Sequence, residues 1–319
     1  MKILILGYSS IAKRRIIPAL NKLNVIQAID VGSCSTPNHK KRKNSKIHKI
    51  FENYSDALAQ SDADIVYIST INSLHEKLAE ASLLSGRHVI VDKPAFLNFP
   101  TTKRITSLAK KLGLGVAETT VFPFHPQFKC LKELAKKYSP IESIVTTFTM
   151  PPFPSENYRW NKKLGGGAIH DLGPYAAAMG RLFFKHPPSF LVSRITKKDN
   201  NTQIDTAFSL LATFKNNQNL AGTFGFSSEY INSLLVYGPN CSINIQRIFS
   251  PPPNLKNKII IHHKNSKIIK FVPAGDSFLL MINAIINDFL QNKFDQYSNW
   301  MLNDSEMRDK IRLSAETRN

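Results

Sequence analysis

Apolar runs and helix-length segments alternate along the first 120 residues. The runs are short and rich in isoleucine, leucine and valine, as is typical of strands buried in a parallel sheet. They occupy residues 2–6, 25–31, 64–70, 88–92 and 114–118. The intervening segments place apolar residues at helical spacing and cover residues 9–23, 53–60, 74–85 and 101–111. This order predicts a doubly wound α/β domain, a parallel sheet with helices on its faces.

The pattern changes after residue 140, where longer segments alternate apolar and polar residues with a period of two. Such segments occupy residues 143–150, 206–214, 220–226, 242–249, 258–263 and 267–272. Turn residues connect several of them, as in Asn216-Asn217, Gly238-Pro239-Asn240 and Asn265-Ser266, and these residue types favour hairpins. The second half is therefore predicted to be an α+β domain with a large open, mainly antiparallel sheet.

The end of the chain combines one apolar helix with a polar tail. The helix is predicted over residues 278–290, and the polar residues from Ser305 onward predict a frayed end. A chain of 319 residues suits two domains. We place them at residues 1–120 and 121–319, with the boundary near residues 119–125.

The composition is strongly basic, with 42 Lys and Arg against 23 Asp and Glu and a formal net charge of +19. Such a charge favours an anionic partner. Only five apolar residues directly precede Gly7, and no later run approaches the ~20 that span a bilayer. Three scattered cysteines make no disulfide framework, and no histidine has metal-ligand spacing. We expect a reduced, cytoplasmic protein with no membrane segment, signal peptide or metal.

The loop after the first strand carries the first candidate site. A dinucleotide-binding fold places the pyrophosphate at the N-terminus of the helix that follows this strand. Of the pattern G-x-G-x-x-G only the first glycine is present, with Ser9 and Ala12 at the other two positions. A strand-to-helix turn that needs one glycine explains the six residues equally well. The candidate residues here are Gly7, Tyr8, Ser9, Ser10 and Ile11.

Three further segments carry a family resemblance. Thr70-Ile71-Asn72 with His75 follows one predicted strand, Asp92-Lys93-Pro94 ends the next, and GGGAIHDLGPY spans residues 165–175. These segments resemble the T-P-N-x-x-H, E-K-P and G-G-G-x-x-x-D-x-G-x-H/Y motifs of the Gfo/Idh/MocA family of NAD(P)-dependent sugar oxidoreductases. The resemblance covers nearly the whole chain and departs from the commonest pattern at Ile71, Asp92 and Tyr175.

The resemblance implies an N-terminal Rossmann domain for the cofactor and a C-terminal domain for substrate and oligomerisation. It also implies that cofactor-binding residues come from five places in the chain, the first loop included. Beyond the first loop these are Ser33, Ser35, Thr70, Ile71, Asn72, His75, Asp92, Lys93, Arg159 and Trp160.

Lys93, Asp171 and Tyr175 are the candidate catalytic residues. A lysine at the carboxyl end of a parallel strand faces the crevice where such sheets bind ligands. Asp171 and Tyr175 are spaced i, i+4, which puts both on one helix face, although a packed core tyrosine would show the same spacing. The resemblance implies that Tyr175 passes the proton. Because a free tyrosine has a pKa of ~10, it needs a nearby cation, and we assign that role to Lys93 and an orienting role to Asp171.

The end of the second strand favours NADP(H), with NAD(H) as the alternative. An NAD-binding fold usually ends this strand with an acid that bonds the ribose 2′-hydroxyl. Here the strand ends near Ser33-Cys34-Ser35, which resembles the family's NADP-type A-S-R-S ending with Cys34 in place of arginine. Asp30 would become the ribose acid if the strand stopped one turn earlier.

The substrate is predicted from the family resemblance and the charge together. Residues 247–253, RIFSPPP, resemble the family branch that reduces keto groups of nucleotide-linked sugars, and Arg159, Lys162 and Lys163 are candidate cations for the phosphates. The alternatives are an oxidoreductase of a free sugar, polyol or diol and a non-catalytic dinucleotide-binding regulator. A homodimer or homotetramer formed through the C-terminal sheet is expected.

A basic run without acids lies between the second strand and the first helix that follows it, at Lys40, Lys41, Arg42, Lys43, Lys46 and Lys49. A solvated loop and helix face is the plainest interpretation. A contribution to a 2′-phosphate site is a second interpretation. A nucleic-acid surface is disfavoured because no interleaved aromatic residues accompany the run.

Overall fold

The computed structural model describes residues 1–34, 45–184 and 186–317. The chain forms two compact units, each built from two stretches of sequence. The first unit is Met1–Thr119 with Phe278–Leu302, and the second is Thr120–Ser277 with Asn303–Asn319. No helix in the described ranges has both the length and the apolar character needed to cross a bilayer.

The first unit is built on a six-stranded sheet in the order β3-β2-β1-β4-β5-β6, with every pair parallel. The strands are β1 (Lys2–Leu6), β2 (Ala28–Gly32), β3 (Ile47–Phe51), β4 (Ile65–Ile68), β5 (His88–Val91) and β6 (Val116–Glu118). The central strands β1 and β4 are buried on both faces, which explains their uninterrupted apolar runs. This arrangement confirms the predicted doubly wound α/β domain. The strand β3 was not predicted.

Helices cover the sheet of the first unit. They are α1 (Ile17–Lys22), α2 (Tyr54–Gln60), α3 (His75–Leu84), α4 (Phe99–Leu112) and α7 (Ser277–Leu290). A wide π-helical turn, Ala12–Ile16, leads into α1, and Pro18 stands in the first turn of α1, where a missing N–H costs little. The predicted helix over residues 9–23 is therefore real but shorter and irregular. Gly115 leaves room for the ring of Phe289, because a Cβ there would lie 2.7 Å from it.

The second unit is built on an eight-stranded sheet in the order β14-β13-β12-β11-β7-β10-β9-β8. Only the β7 and β10 pair is parallel, so the predicted open, mainly antiparallel sheet is confirmed. The strands are β7 (Ser143–Met150), β8 (Phe190–Lys198), β9 (Asp205–Thr213), β10 (Asn219–Phe226), β11 (Ile231–Gly238), β12 (Cys241–Gln246), β13 (Asn257–His263) and β14 (Ser266–Val272). Strands β8 and β11 were not predicted.

Three helices belong wholly or partly to the second unit: α5 (Pro126–Lys137), α6 (Ala168–Phe183) and α8 (Asp295–Glu316). Helix α6 packs on β9 and β10. The prediction that the chain frays from Ser305 onward is wrong, because α8 continues to Glu316. One apolar residue per turn, at Met307, Ile311 and Ala315, is buried in the core of this unit.

Candidate active site

The loop after β1 fits the backbone cradle expected for a dinucleotide. Gly7 has a φ of +96° and lies so close to the end of β4 that a Cβ would approach the Ser69 carbonyl oxygen to 2.3 Å. The Ser9 Oγ bonds the Ser69 Oγ at 2.7 Å and accepts from the Ala12 N–H at 3.0 Å. The loop is therefore fixed at the β1–β4 junction, where the strand order reverses and such folds bind their ligands.

Asp30 lies inside β2 and is fully buried. Its carboxylate accepts from the Ser61 hydroxyl at 2.8 Å and from the Lys49 N–H at 3.2 Å. The strand continues to Gly32, so Asp30 is committed to bonds within the sheet rather than to the strand's carboxyl end. Ser33 and the exposed Cys34 follow directly. Ser35, Lys40, Lys41, Arg42 and Lys43 lie outside the described residues.

The Asp92 carboxylate joins the carboxyl ends of three strands. It accepts hydrogen bonds from the hydroxyls of Tyr67, Ser69 and Thr119, the Ser69 bond being 2.5 Å and the Thr119 bond 3.3 Å long. Burial and the neighbouring Asp92 charge raise the pKa of Tyr67 well above its usual value, so this phenol stays a donor. Asp92 thus links the strand ends directly before the loop that begins with Lys93.

Two side chains hold the Lys93-Pro94 segment in place. The fully buried His75 ring lies between two carbonyl oxygens, that of Pro94 at 2.9 Å from Nδ1 and that of Thr70 at 3.3 Å from Nε2. Burial lowers the pKa of His75. Glu118 Oε2 accepts from the N–H of Ala95 at 2.8 Å. His75 therefore ties the two motif loops together, and Glu118 is a site residue that the motifs missed, although an acid at a strand's carboxyl end was a usable signal.

The second cluster lies at the start of α6, after three glycines. The buried Asp171 carboxylate accepts from a terminal N–H of Arg159 at 3.0 Å. The Arg159 guanidinium also lies over the rings of Phe153, at 4.4 Å, and Tyr158, at 4.9 Å. Burial alone would lower the pKa of Arg159, but the charge of Asp171, the hydrogen bond to it and the neighbouring tyrosines together outweigh burial, and the net change is upward. The pair is thus a fixed ion pair inside this unit.

Tyr175 projects from the same helix into an aromatic cluster. Its half-buried ring lies 5.0 Å from Phe148, 5.2 Å from Phe249 and 6.1 Å from Phe122. Tyr175 stands one helical turn after Asp171, the carboxylate that pairs with Arg159. Asp171, Tyr175 and Arg159 are therefore brought together within one unit, whereas Lys93 belongs to the other unit.

The remaining predicted residues of this unit are Trp160, Lys162 and Lys163. Trp160 donates from Nε1 to the Pro154 carbonyl oxygen at 3.0 Å and packs edge-on against Phe226. Lys162 and Lys163 are exposed.

Arg247 begins the RIFSPPP segment in an unusual conformation, with a φ of +57°. Its N–H donates to the Asn232 carbonyl oxygen at 2.6 Å, and its own carbonyl accepts from Gln127 Nε2 at 3.0 Å. The guanidinium lies 4.5 Å from the Tyr230 ring centre. Within the described ranges it pairs with no carboxylate. The backbone of Arg247 is therefore fixed while its guanidinium faces solvent. The ring of Tyr230 contacts the ring of Phe148, and Phe148 also packs on Tyr175.

Comparison with known proteins gives two family matches. Residues 1–119 match the model described as oxidoreductase family, NAD-binding Rossmann fold, and residues 137–244 match the GFO/IDH/MocA C-terminal domain.

Among the described residues, no group of three or more His, Cys, Asp or Glu could hold a metal ion.

Among the relatives, a dTDP-3,4-didehydro-2,6-dideoxy-alpha-D-glucose 3-reductase of Actinomadura kijaniata is 25% identical over 98% of this chain and 94% of its own length. A D-xylose 1-dehydrogenase (NADP(+)) of Haloferax volcanii is 26% identical over 61% of each chain.

Among solved structures, the 3-ketoreductase KijD10 of Actinomadura kijaniata with NADP and TDP-benzene has a TM-score of 0.93 at 24% identity, covering 99% of this chain and 98% of its own. An aldose-aldose oxidoreductase of Caulobacter crescentus has a TM-score of 0.89 at 18% identity, with coverage of 100% and 98%. These structures share the fold described above.

Proposed function

Because the chain belongs to the Gfo/Idh/MocA family of oxidoreductases, we propose that it reduces the ketone of a nucleotide-linked sugar with NADP(H). The observation that carries this proposal is that Tyr175 stands one turn after Asp171 on α6, where an ion pair with Arg159 fixes the Asp171 carboxylate. A proton donor fixed next to buried charges suits general acid catalysis at a carbonyl oxygen. The relative named as a dTDP-sugar 3-reductase, similar over 98% of the chain, supports the substrate class.

In the proposed mechanism the residues of each unit have distinct tasks. The backbone of residues 7–11 binds the cofactor's pyrophosphate, and the bound nicotinamide supplies the hydride. Tyr175 holds the proton and passes it from its hydroxyl to the carbonyl oxygen of the sugar. Asp171 orients the substrate, with Arg159 keeping its carboxylate in place, and Lys93, in the first unit, is proposed as a further catalytic cation.

The cofactor preference is testable at the end of β2. Asp30 is bonded inside the sheet, and the residues described directly after β2, Ser33 and Cys34, include no acid that would repel a 2′-phosphate. Ser33→Asp is expected to weaken NADP(H) binding at least about tenfold while changing NAD(H) binding little, because it places an acid where NAD-binding folds have one. Titration of both reduced cofactors by fluorescence measures this.

The buried position of Ser33 calls for a second variant and a control. Cys34→Asp adds the same charge at an exposed position, and Ser107→Asp adds it on the exposed face of α4. Both strand-end variants should discriminate against NADP(H), and Ser107→Asp should not. Tighter binding of NAD(H) than of NADP(H) by the unmodified protein would contradict the cofactor assignment.

Arg247 is the proposed contact for the diphosphate of the substrate. It is a solvent-facing cation on a fixed backbone, linked through Tyr230 and Phe148 to the catalytic tyrosine. Arg247→Met is expected to raise KM for a nucleotide-linked sugar about tenfold or more with little change in kcat, because charge-assisted bonds to phosphate are lost. Steady-state kinetics measure both constants.

The matched control is Arg194→Met, which removes a cation from β8 elsewhere in the same unit. It should leave KM unchanged. An unchanged KM in Arg247→Met would move the phosphate contact to another residue.

A homodimer or homotetramer is proposed through the open face of the second unit's sheet. Strand pairing aligns Leu211, Val145 and Ile269 in one row across that face, and each is at least 40% exposed. Exposed large apolar side chains on an open sheet face are typical of a protein interface.

Two other functions compete with this proposal. An enzyme for free sugars, polyols or diols would use the same proton donor, and a non-catalytic regulator would bind the cofactor only. A hydride-transfer assay distinguishes an enzyme from the non-catalytic regulator, because oxidation of NADPH with any keto sugar requires catalysis. The presence of Lys93, Asp171 and Tyr175 together supports an enzyme.

A further inference from the structure

Asp205, at the start of β9, supplies the N-terminal cap of the helix that carries Asp171 and Tyr175. Its Oδ2 accepts from the N–H of Ile169 at 2.7 Å, and its Oδ1 lies against Gly167. The N-cap residue of α6 is Gly167, which has no side chain to cap the helix itself. One of the orphan N–H groups of this helix start, that of Ile169, is therefore satisfied by a residue that is distant in sequence.

The third glycine of the run leaves room for this carboxylate. Gly167 has a φ of +107°, and a Cβ there would lie 2.3 Å from Asp205 Oδ1. On the other side, a Cβ on Gly166 would lie 2.3 Å from the Arg159 carbonyl oxygen, and the Gly167 N–H donates to that oxygen at 3.1 Å. The glycines thus bring the Arg159 backbone and the Asp205 carboxylate to the same helix start.

The first turn of α6 depends on this anchor more than an ordinary helix start does. Pro174 stands inside the helix, where it removes one backbone hydrogen bond and weakens the link between the first turn and the rest. The first turn carries Asp171, and Tyr175 follows the proline directly. Burial raises the pKa of Asp205 to about 6, although backbone N–H groups, that of Ile169 foremost, and the charge of Lys162 oppose this rise.

We propose that Asp205 is a positioning residue for hydride transfer: by joining β9 to the start of α6, it holds Asp171 and Tyr175 where the substrate carbonyl is protonated. The inference rests on the proposed function. A displacement of a catalytic group by about 1 Å can cost about 100-fold in rate. Loss of the anchor should therefore slow the chemical step itself, beyond any effect on the amount of folded protein.

The test compares Asp205→Ala, which removes both acceptor oxygens, with Asp205→Asn, which keeps one. The matched control is Asp199→Ala. The half-buried Asp199 carboxylate likewise accepts from backbone N–H groups, those of Asn201 and Thr202, but it does so in the turn between β8 and β9. The measurement is the single-turnover rate constant of NADPH oxidation by stopped flow with a keto sugar. Unfolded protein lowers the amplitude of this signal and leaves its rate constant unchanged.

We expect the rate constant to fall at least about tenfold in Asp205→Ala and less in Asp205→Asn, with Asp199→Ala like the unmodified protein. An unchanged rate constant in Asp205→Ala, with only the amplitude reduced, would reduce Asp205 to a structural cap and overturn the proposal. If Asp205→Ala does not fold, Asp205→Asn decides: a fall of about threefold supports the proposal, and an unchanged rate constant overturns it. No turnover by the unmodified protein would remove the proposed function, and this inference with it.

Discussion

Tyr175→Phe is expected to lower kcat for ketone reduction by about 100-fold to 10,000-fold, the range in which general acid catalysis contributes. The variant keeps the ring, and with it the contacts to Phe148, Phe249 and Phe122. Only the hydroxyl is lost, so stability should change by about 1 kcal/mol, the value of one hydrogen bond. Steady-state kinetics and a thermal unfolding curve measure the two effects.

The control for this variant is Tyr138→Phe. Tyr138 is a buried tyrosine of the same unit that packs against His263 at the end of α5. Its hydroxyl should be dispensable for turnover. A loss well under tenfold in Tyr175→Phe, with the fold intact, would place the proton transfer on another group.

Lys93→Met is expected to lower kcat by about 100-fold while leaving the affinity for the cofactor within a few-fold. Methionine keeps much of the side chain's length and removes its charge. The segment around Lys93 is fixed by His75 and Glu118, so the backbone should stay in place. Turnover and cofactor titration measure the two effects separately.

Lys103→Met, on the exposed face of α4, is the matched control and should leave kcat unchanged. The double variant with Tyr175→Phe tests whether both residues act on one step. Groups that act as a unit are far from additive, so the double variant should lose little more than the worse single variant. Fully multiplied losses would assign the two residues to separate steps.

The sequence pattern predicted the fold class because the central strands are buried on one or both faces. The strands that it missed have identifiable reasons. Strands β3 and β8 lie at the edges of their sheets and are largely exposed, so their apolar signal is weak. Strand β11 is central, but its inward position Asn232 is a buried amide that accepts from the Phe249 N–H at 3.1 Å. The interior there is polar, and the expected alternation is interrupted.

The polar tail was misjudged for a related reason. Helix α8 buries charges as well as apolar residues: Arg308 is 3% exposed, and Asp304 forms an ion pair of 2.7 Å with Arg181. A composition rich in charge indicates a solvated segment only when the charges have no partners in the fold. Those partners come from α6, more than 100 residues earlier, so the local pattern could not reveal them.

The candidate site likewise contains residues that the sequence predicts and residues that only the folded structure reveals. Motif residues such as Asp171 and Tyr175 share one helix face and are visible in sequence. Other candidate residues are recognised only by contacts that form in the folded chain. Asp205 caps a helix from another strand, Glu118 bonds a neighbouring loop, and Arg247 is a cation on a strained turn. Their residue types are ordinary, and only their placement distinguishes them.

The central claim, reduction of a nucleotide-linked keto sugar with NADPH, is tested most directly by comparing two substrates. The initial rate of NADPH oxidation is measured with a dTDP-linked 3-keto sugar and with the same sugar without the nucleotide, at low and at high salt. We predict a kcat/KM at least about tenfold higher for the linked sugar, with the difference narrowing as salt screens the protein's net charge of +19. Equal kcat/KM values for the two sugars, or no oxidation of NADPH with the linked sugar, would contradict the claim.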